Sequence, residues 1–204
     1  FFGHDPRFVK LLAHWFACHE ATGTKMTAVV ITDEAPPAGF AFRSVRVDTS
    51  KLAHLQRGHP WDRKGAIVAA ATEVLGPMLV CDADAFLHGD PEPVISKLPF
   101  ALMRTRADGW ARSIVIHGKQ VQQRQAGVMM LAGNLAKPYA EAFHIAGNGY
   151  SADDWREQIA WSLLAEWTGL QELPVTLNCS HHDPAAAKAI IVHEHGNTKW
   201  RHIA

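Results

Sequence analysis

The chain has little of several features that define common protein classes. It has three cysteines, Cys18, Cys81 and Cys179, with no CxxC spacing, so a disulfide framework is not expected and a reducing compartment is favoured. No apolar run approaches the roughly 20 residues of a membrane span, and the opening FFGHDPRF lacks the charged-then-apolar order of a signal peptide. These absences predict a soluble, cytoplasmic protein.

The sequence also lacks an excess of charge of either sign. Twenty Lys and Arg residues balance twenty Asp and Glu residues, so no strong overall field would hold nucleic acid or an anionic membrane, although a local basic patch is not excluded. With 48% hydrophobic residues, a chain of 204 residues fits one compact domain over 1–204.

Predicted helices and strands alternate along the chain. Apolar periodicity and capping residues predict helices that begin near Asp5, Asp62, Asn134 and Ser151. Strands are predicted at 27–32, 42–48, 78–81, 100–104, 114–117, 127–132, 174–177 and 189–193. This alternation is typical of the α/β class, with a mainly parallel sheet flanked by helices.

The most informative segment is MLVCDADAFLHGD at 78–90. Four apolar residues suit a buried strand, and Asp82 and Asp84 follow at its exit, where ligands bind in open α/β sheets. Two carboxylates 4 Å apart repel by about 4 kcal/mol at an effective dielectric near 20, a cost that a divalent cation would reverse. The alternative is an ordinary strand-end turn, since Asp favours turns. The Asp-x-Asp pattern alone does not decide between the two.

A second apolar strand leads into another group of candidate ligands. Ile190 to Val192 precede His193, whose imidazole is a candidate third metal ligand. Gly196 would let the backbone approach a ligand closely, and Lys199 would neutralise phosphate oxygens. Taken singly, a strand-end histidine is more often a surface residue and such a lysine is usually solvated. The hypothesis therefore depends on both strand ends meeting at one site.

In their order along the chain, these segments resemble the GT-A glycosyltransferases, in particular the glycogenin-like and bacterial galactosyl- or glucosyltransferase branch. The matching segments, over roughly residues 60 to 200, are Lys64, Asp82-Ala83-Asp84, Gln125-Ala126-Gly127, Glu157-Gln158 and His193…Gly196…Lys199. Gln125 stands where the family usually has Asn, and Glu157 where it usually has Asp. Asp154, one helical turn before Gln158, offers the shorter carboxylate instead.

The resemblance implies a GT-A fold and a hexosyltransferase that uses a nucleotide-sugar, with a UDP-sugar as the preferred donor. It implies Mn²⁺ or Mg²⁺ held by Asp82, Asp84 and His193, and transfer with retention. The implied donor-binding residues are Lys64, Asp82, Ala83, Asp84, Gln125, Ala126, Gly127, Gly196 and Lys199, and the implied catalytic residues are Asp154, Glu157 and Gln158. The family's first strand, which contacts the base, is barely present here, so we expect it to be truncated. The acceptor is left open among saccharides, proteins, lipid-linked groups and nucleic acids.

Two other functions are compatible with the sequence. One is a catalytically idle module that keeps the fold and binds a nucleotide or a glycan. The other is a zinc hydrolase built on His193-Glu194-His195 and His181-His182-Asp183, although no HExxH motif occurs.

Overall fold

The computed structural model describes residues 6–36, 39–55, 60–99, 101–107, 113–116, 118–147, 156–169, 171–194 and 196–203. The α-helices are α1 (Pro6–Ala21), α2 (Pro60–Val74), α3 (Glu92–Ile95), α4 (Ala136–Gly147) and α5 (Arg156–Thr168). Short 3₁₀ helices span Ser50–Leu55, Val175–Leu177, Pro184–Lys188 and Thr198–His202. None of the helices in this described part of the chain combines the length and the apolar character that crossing a membrane requires.

The strands are short. They are β1 (Val30–Thr32), β2 (Ser44–Arg46), β3 (Met78–Cys81), β4 (Ala85–Leu87), β5 (Met103–Arg104), β6 (Ser113–Ile116), β7 (Lys119–Gln122), β8 (Val128–Leu131), β9 (Cys179–Ser180) and β10 (Ile191–His193). Contacts between Cα atoms divide the chain into two compact units. The first contains 29–80 and 101–172, and the second contains 81–99, 173–203 and the residues up to 28.

Helices α2, α4 and α5 form the core of the first unit. Tyr139 on α4 and Trp161 on α5 are fully buried, with ring centroids 4.4 Å apart. Gly65 lets α2 approach them closely, since a Cβ at this position would lie 1.9 Å from the Tyr139 hydroxyl oxygen. The strands of this unit form the parallel pair β1–β2, the sheet β3-β8-β5 and the hairpin β6–β7.

The second unit is built on the sheet β4-β10-β9, with α1 packed against it. The indole nitrogen of Trp15 on α1 donates a hydrogen bond to the carbonyl oxygen of Ala85, at 2.8 Å. Phe8 on the same helix meets the ring of Trp200 edge-on, at 5.5 Å between centroids. Helix α1 therefore supports both β4 and the 3₁₀ helix Thr198–His202.

The α/β class is confirmed, but the sheet differs from the expectation. Among the described strands, β1–β2 and β9–β10 pair in parallel, whereas β4–β10, β5–β8 and β6–β7 pair antiparallel. These ladders therefore do not form a mainly parallel sheet. The strand predicted at 174–177 is wrong, because Val175–Leu177 forms a 3₁₀ turn closed by a bond from the Leu177 N–H to the carbonyl oxygen of Pro174, at 2.9 Å.

Candidate metal centre

Asp82 and Asp84 lie in the turn that joins β3 to β4, in the second unit. The turn is closed by the N–H of Ala85, which donates to the carbonyl oxygen of Asp82 at 2.9 Å. The local structure is thus the turn that the sequence allowed as an alternative, and the two carboxylates are not carried by one extended strand. What matters for chemistry is which other side chains meet this turn.

The antiparallel ladder between β4 and β10 brings His193 to the turn. His193 pairs with Ala85 in the register of this ladder, and the N–H of the next residue, Glu194, donates to the carbonyl oxygen of Asp84 at 2.8 Å. The start of β4 therefore adjoins the end of β10. The expectation that two strand ends meet holds for these residues, but by antiparallel pairing and not by two parallel strands ending at one edge.

Asp82, Asp84 and His193 form a three-residue group in which one ligand atom of each lies within 4.8 Å of the others. His193 Nε2 is 3.3 Å from Asp84 Oδ1, and Lys199 Nζ is 2.6 Å from Asp84 Oδ2. Within the described ranges, no other set of three His, Cys, Asp or Glu side chains meets the same condition. The structure thus brings together the sequence-predicted metal ligands and the candidate phosphate lysine.

The electrostatics of the group favour an ionised Asp84. Burial would raise the pKa of this carboxyl group, but the hydrogen bond and charge of His193 and the charge and hydrogen bond of Lys199 outweigh burial and hold the pKa well below its usual range. At the adjoining position, burial and then the charge of Asp82 raise the pKa of the Cys81 thiol to about 12. The thiol is therefore protonated at neutral pH, and the available ligands are carboxylate oxygens and an imidazole.

This donor set fits a hard divalent cation. Carboxylate oxygens suit Mn²⁺ and Mg²⁺, and an imidazole is compatible with Mn²⁺, whereas structural zinc sites are usually richer in thiolate or histidine. The proximity of two carboxylates also supplies the negative charge that a dication would neutralise.

The segment after β10 carries Lys199 back to Asp84. Gly196 has a φ of 65°, in the left-handed region that glycine adopts without steric cost, and the 3₁₀ helix Thr198–His202 follows. Glu194 is buried and pairs with Arg201 and His202 of this helix. Burial would raise the pKa of Glu194, but its hydrogen bonds to these two residues and their charges lower it. Sequence reasoning missed this pairing, because Glu194 between two histidines suggested a zinc motif instead.

The residues of the zinc-hydrolase alternative have other partners in the structure. The His181 and His182 rings lie against each other at 3.7 Å between centroids, and Asp183 caps the 3₁₀ helix Pro184–Lys188 by accepting from the N–H of Ala185 at 2.8 Å. His195 lies outside the described residues. The described part of this motif is therefore explained by local structure.

Six predicted donor-binding or catalytic residues belong to the first unit, namely Lys64, Gln125, Ala126, Gly127, Glu157 and Gln158, whereas Ala83 lies in the second unit between Asp82 and Asp84. Lys64 Nζ on α2 is 3.5 Å from Oε1 of Glu157 on α5, and both Glu157 and the next residue, Gln158, are buried. Gln125, Ala126 and Gly127 immediately precede β8; the N–H of Gln125 donates to the carbonyl oxygen of Arg106 at 2.9 Å. Asp154 lies outside the described residues. Lys64, Gln125, Glu157 and Gln158 are thus ordered parts of one unit, and the metal group is part of the other.

Comparison with known proteins identifies the fold. No protein-family model and no curated protein matches the chain. The apo-form glycosyltransferase GlyE of Streptococcus pneumoniae TIGR4 is similar in structure, with a TM-score of 0.57 and 9% sequence identity over 93% of this chain. The chain spans about half of that protein, 52% of its length.

A second solved structure, a glycosyltransferase involved in the glycosylation of the major capsid of PBCV-1, has a TM-score of 0.52 and 14% identity. That match covers 96% of this chain and 88% of the other. The two similarities show that the chain shares the fold of these two solved glycosyltransferases.

Proposed function

We propose that the chain is a metal-dependent glycosyltransferase that moves a sugar from a nucleoside diphosphate donor to an acceptor. The observation that carries this proposal is the group formed by Asp82, Asp84, His193 and Lys199 within a glycosyltransferase fold. A diphosphate leaving group needs positive charge beside it. A divalent cation held by three ligands would supply this charge, together with the nearby lysine.

The chemistry follows from the charge of the leaving group. As the bond between sugar and diphosphate breaks, negative charge grows on the diphosphate oxygens, so catalysis depends on positive charge placed there in advance. Asp82, Asp84 and His193 would hold Mn²⁺ or Mg²⁺, which supplies Lewis-acid charge and a template for the diphosphate when bound. Lys199, with its ammonium group already at Asp84, adds a further positive charge from the protein.

The finer assignments rest on the GT-A resemblance. It gives a UDP-sugar as the preferred donor, a hexosyl group as the part transferred, and retention of configuration. It assigns Lys64 a supporting positive charge for the diphosphate, donor contacts to Ala83, Gln125, Ala126, Gly127 and Gly196, and the sugar-facing roles to Asp154, Glu157 and Gln158. The nature of the acceptor is decided by loops that the resemblance does not reach.

A thermal-shift screen followed by a hydrolysis assay tests the proposal. Nucleoside diphosphates and nucleotide-sugars are added with and without Mn²⁺, and a ligand at 100 times its dissociation constant should stabilise the fold by about 2.7 kcal/mol. The stabilising nucleotide-sugar is then incubated with the protein and Mn²⁺, and free sugar is measured. We expect stabilisation that requires Mn²⁺ and slow release of sugar from the donor.

The same experiment separates the alternatives. Binding of a nucleotide-sugar without any turnover would identify an idle binding module, and cleavage of ester or amide substrates would identify a hydrolase. If no nucleoside diphosphate or nucleotide-sugar stabilises the protein in the presence of Mn²⁺, the proposed function is wrong.

A further inference from the structure

Glu194 connects the two segments that form the metal centre. Its side chain is buried, with 5% of its surface exposed, and Oε1 accepts a hydrogen bond from Arg201 Nη2 and lies 3.2 Å from His202 Nε2. Its backbone N–H donates to the carbonyl oxygen of Asp84 at 2.8 Å. One residue is therefore bonded through its backbone to the Asp84 turn and through its side chain to the 3₁₀ helix Thr198–His202.

Lys199 lies on that same helix, two residues before Arg201. Its ammonium group is 2.6 Å from Asp84 Oδ2, and its side chain is 16% exposed. A lysine side chain loses up to about 2 kcal/mol of rotamer entropy when it is fixed, so its position depends on how firmly its backbone is held. Anchoring of the helix at Arg201 and His202 therefore fixes the backbone from which the Lys199 side chain extends.

The other contacts of the helix are made by its aromatic side chains, to α1 and to β4. Trp200 packs on Phe8 and lies under the guanidinium of Arg7, 4.7 Å from the ring centroid, and the His202 ring stacks on His14 at 4.7 Å. The His202 ring also meets the ring of Phe86 on β4 edge-on, at 4.8 Å between centroids. Loss of the Glu194 carboxylate would therefore remove the charged contacts of Arg201 and His202 while these ring contacts keep the helix packed, so the Lys199 ammonium would be held less firmly at Asp84.

We propose that Glu194 is a positioning residue: it holds the 3₁₀ helix Thr198–His202 so that the Lys199 ammonium stays at Asp84, where it meets the diphosphate of the donor. Glu194 is not one of the three candidate metal ligands. The diphosphate part of this inference rests on the proposed function, whereas the effect of Glu194 on the position of Lys199 does not.

The first test needs no ligand. Trypsin cleaves after Lys199 and Arg201, and release of the peptides that follow these residues is measured by mass spectrometry under native conditions. The Glu194→Gln variant keeps the size of the side chain and removes its charge, and we expect the helix to be cleaved several times faster than in the unaltered protein. Glu172→Gln is the matched control, because it removes the ion pair with Arg124 in the first unit.

The second test measures affinity by calorimetry, with Mn²⁺ alone and with inorganic pyrophosphate in the presence of Mn²⁺. Glu194→Gln should weaken pyrophosphate binding by about threefold to fivefold, the range of an ion pair with one exposed partner, and change Mn²⁺ binding by less than about twofold. In a Lys199→Ala background, Glu194→Gln should cause no further loss, since both changes act on one interaction.

The outcomes are distinct. Unchanged cleavage in Glu194→Gln, unchanged pyrophosphate affinity, an equal loss of Mn²⁺ affinity, or additive losses in the double variant would each overturn the positioning role. If the unaltered protein binds neither pyrophosphate nor a nucleoside diphosphate with Mn²⁺, the proposed function fails. The proteolysis result then decides separately whether Glu194 positions Lys199.

Discussion

Each compact unit contains a half-buried lysine that pairs with a carboxylate, and the surroundings of these two pairs differ. In the second unit, Lys199 lies 2.6 Å from Asp84, and a second carboxylate and an imidazole reach the same place. In the first unit, Lys64 lies 3.5 Å from Glu157, and the space beside Glu157 is filled by helix packing at Gly65 and Tyr139. The lysines are similarly exposed, at 16% and 20%. The comparison teaches that additional ligand atoms near an ion pair, and not the pair itself, mark a candidate metal centre.

The largest difference between the two pairs is expected when one charge is removed from each. Asp84→Asn should abolish sugar transfer and weaken Mn²⁺-dependent pyrophosphate binding by about 100-fold or more, which corresponds to about 2.7 kcal/mol. Glu157→Gln should leave this binding within about threefold, because it removes no metal ligand, and should lower transfer through the sugar-facing role proposed for Glu157. Calorimetry and a transfer assay measure the two effects.

Circular dichroism of both variants provides the control for folding. Near-normal transfer by Asp84→Asn would remove the central assignment. Equal losses of pyrophosphate binding in the two variants would show that the two pairs do not differ in the way described here.

The second-largest effect is expected from the helix packing beside Glu157 in the first unit. Gly65→Ala places a Cβ against Tyr139 and 2.8 Å from Cγ of Glu157, so overpacking should destabilise the fold by about 1–3 kcal/mol. Denaturant unfolding measures this change, and Gly76→Ala is the matched control, since no heavy atom lies within 4 Å of a Cβ there.

Adding Tyr139→Phe to Gly65→Ala should restore part of the stability, because it removes the atom nearest to the new methyl group. If Gly65→Ala is as stable as Gly76→Ala, the close approach of the helices at Gly65 is not a constraint on the fold.

A smaller effect is expected from the two lysines. Lys199→Ala should weaken pyrophosphate binding in the presence of Mn²⁺ by about tenfold, or about 1.4 kcal/mol. It should leave binding of the nucleoside part of the donor unchanged. Lys64→Ala should weaken it less, because Lys64 pairs with a carboxylate outside the metal group. Calorimetry that shows equal losses for pyrophosphate and nucleoside would contradict the phosphate role of Lys199.

Sequence and structure agree best where residue type alone identifies the ligands. Asp82, Asp84 and His193 were recognisable by their chemistry and by the apolar segments before them, and the structure brings them within 4.8 Å. The reason for their approach was not predictable, because β4 has three residues and no periodicity to detect, and its antiparallel pairing with β10 is a long-range choice.

Two further differences between the sequence-based expectations and the structure arise from contacts with other segments, which the local sequence pattern does not show. Strand β7 carries glutamines at both exposed and half-buried positions, so its sequence is typical of a loop until β6 pairs with it across Gly118, whose φ is 75°. Glu194 was assigned to a zinc motif because its partners, Arg201 and His202, follow only after a reversal of the chain. Helix α1, which has a clear apolar stripe, was predicted at its observed place, whereas α2 begins at Pro60, two residues before the predicted cap Asp62.

The smallest effect concerns pH. The folded-state pKa of Asp84 is depressed, so the stability that its charge contributes is fully present above the ordinary aspartate pKa of about 3.9 and is lost as the pH falls through the lower folded-state value. The difference in unfolding free energy between the unaltered protein and Asp84→Asn should therefore decrease as the pH falls below about 4. A difference that stays constant below about pH 4 would contradict the depressed pKa of Asp84.

The ladder between β4 and β10 makes the candidate metal centre sensitive to changes in chain length. Successive side chains of a strand point to opposite faces, so one residue inserted in Ala85–Leu87 or Ile191–His193 would turn His193 away from Asp84 or replace it with a neighbour. Evolution and protein engineering can exchange side chains around these strands, but insertions and deletions are tolerable only outside them.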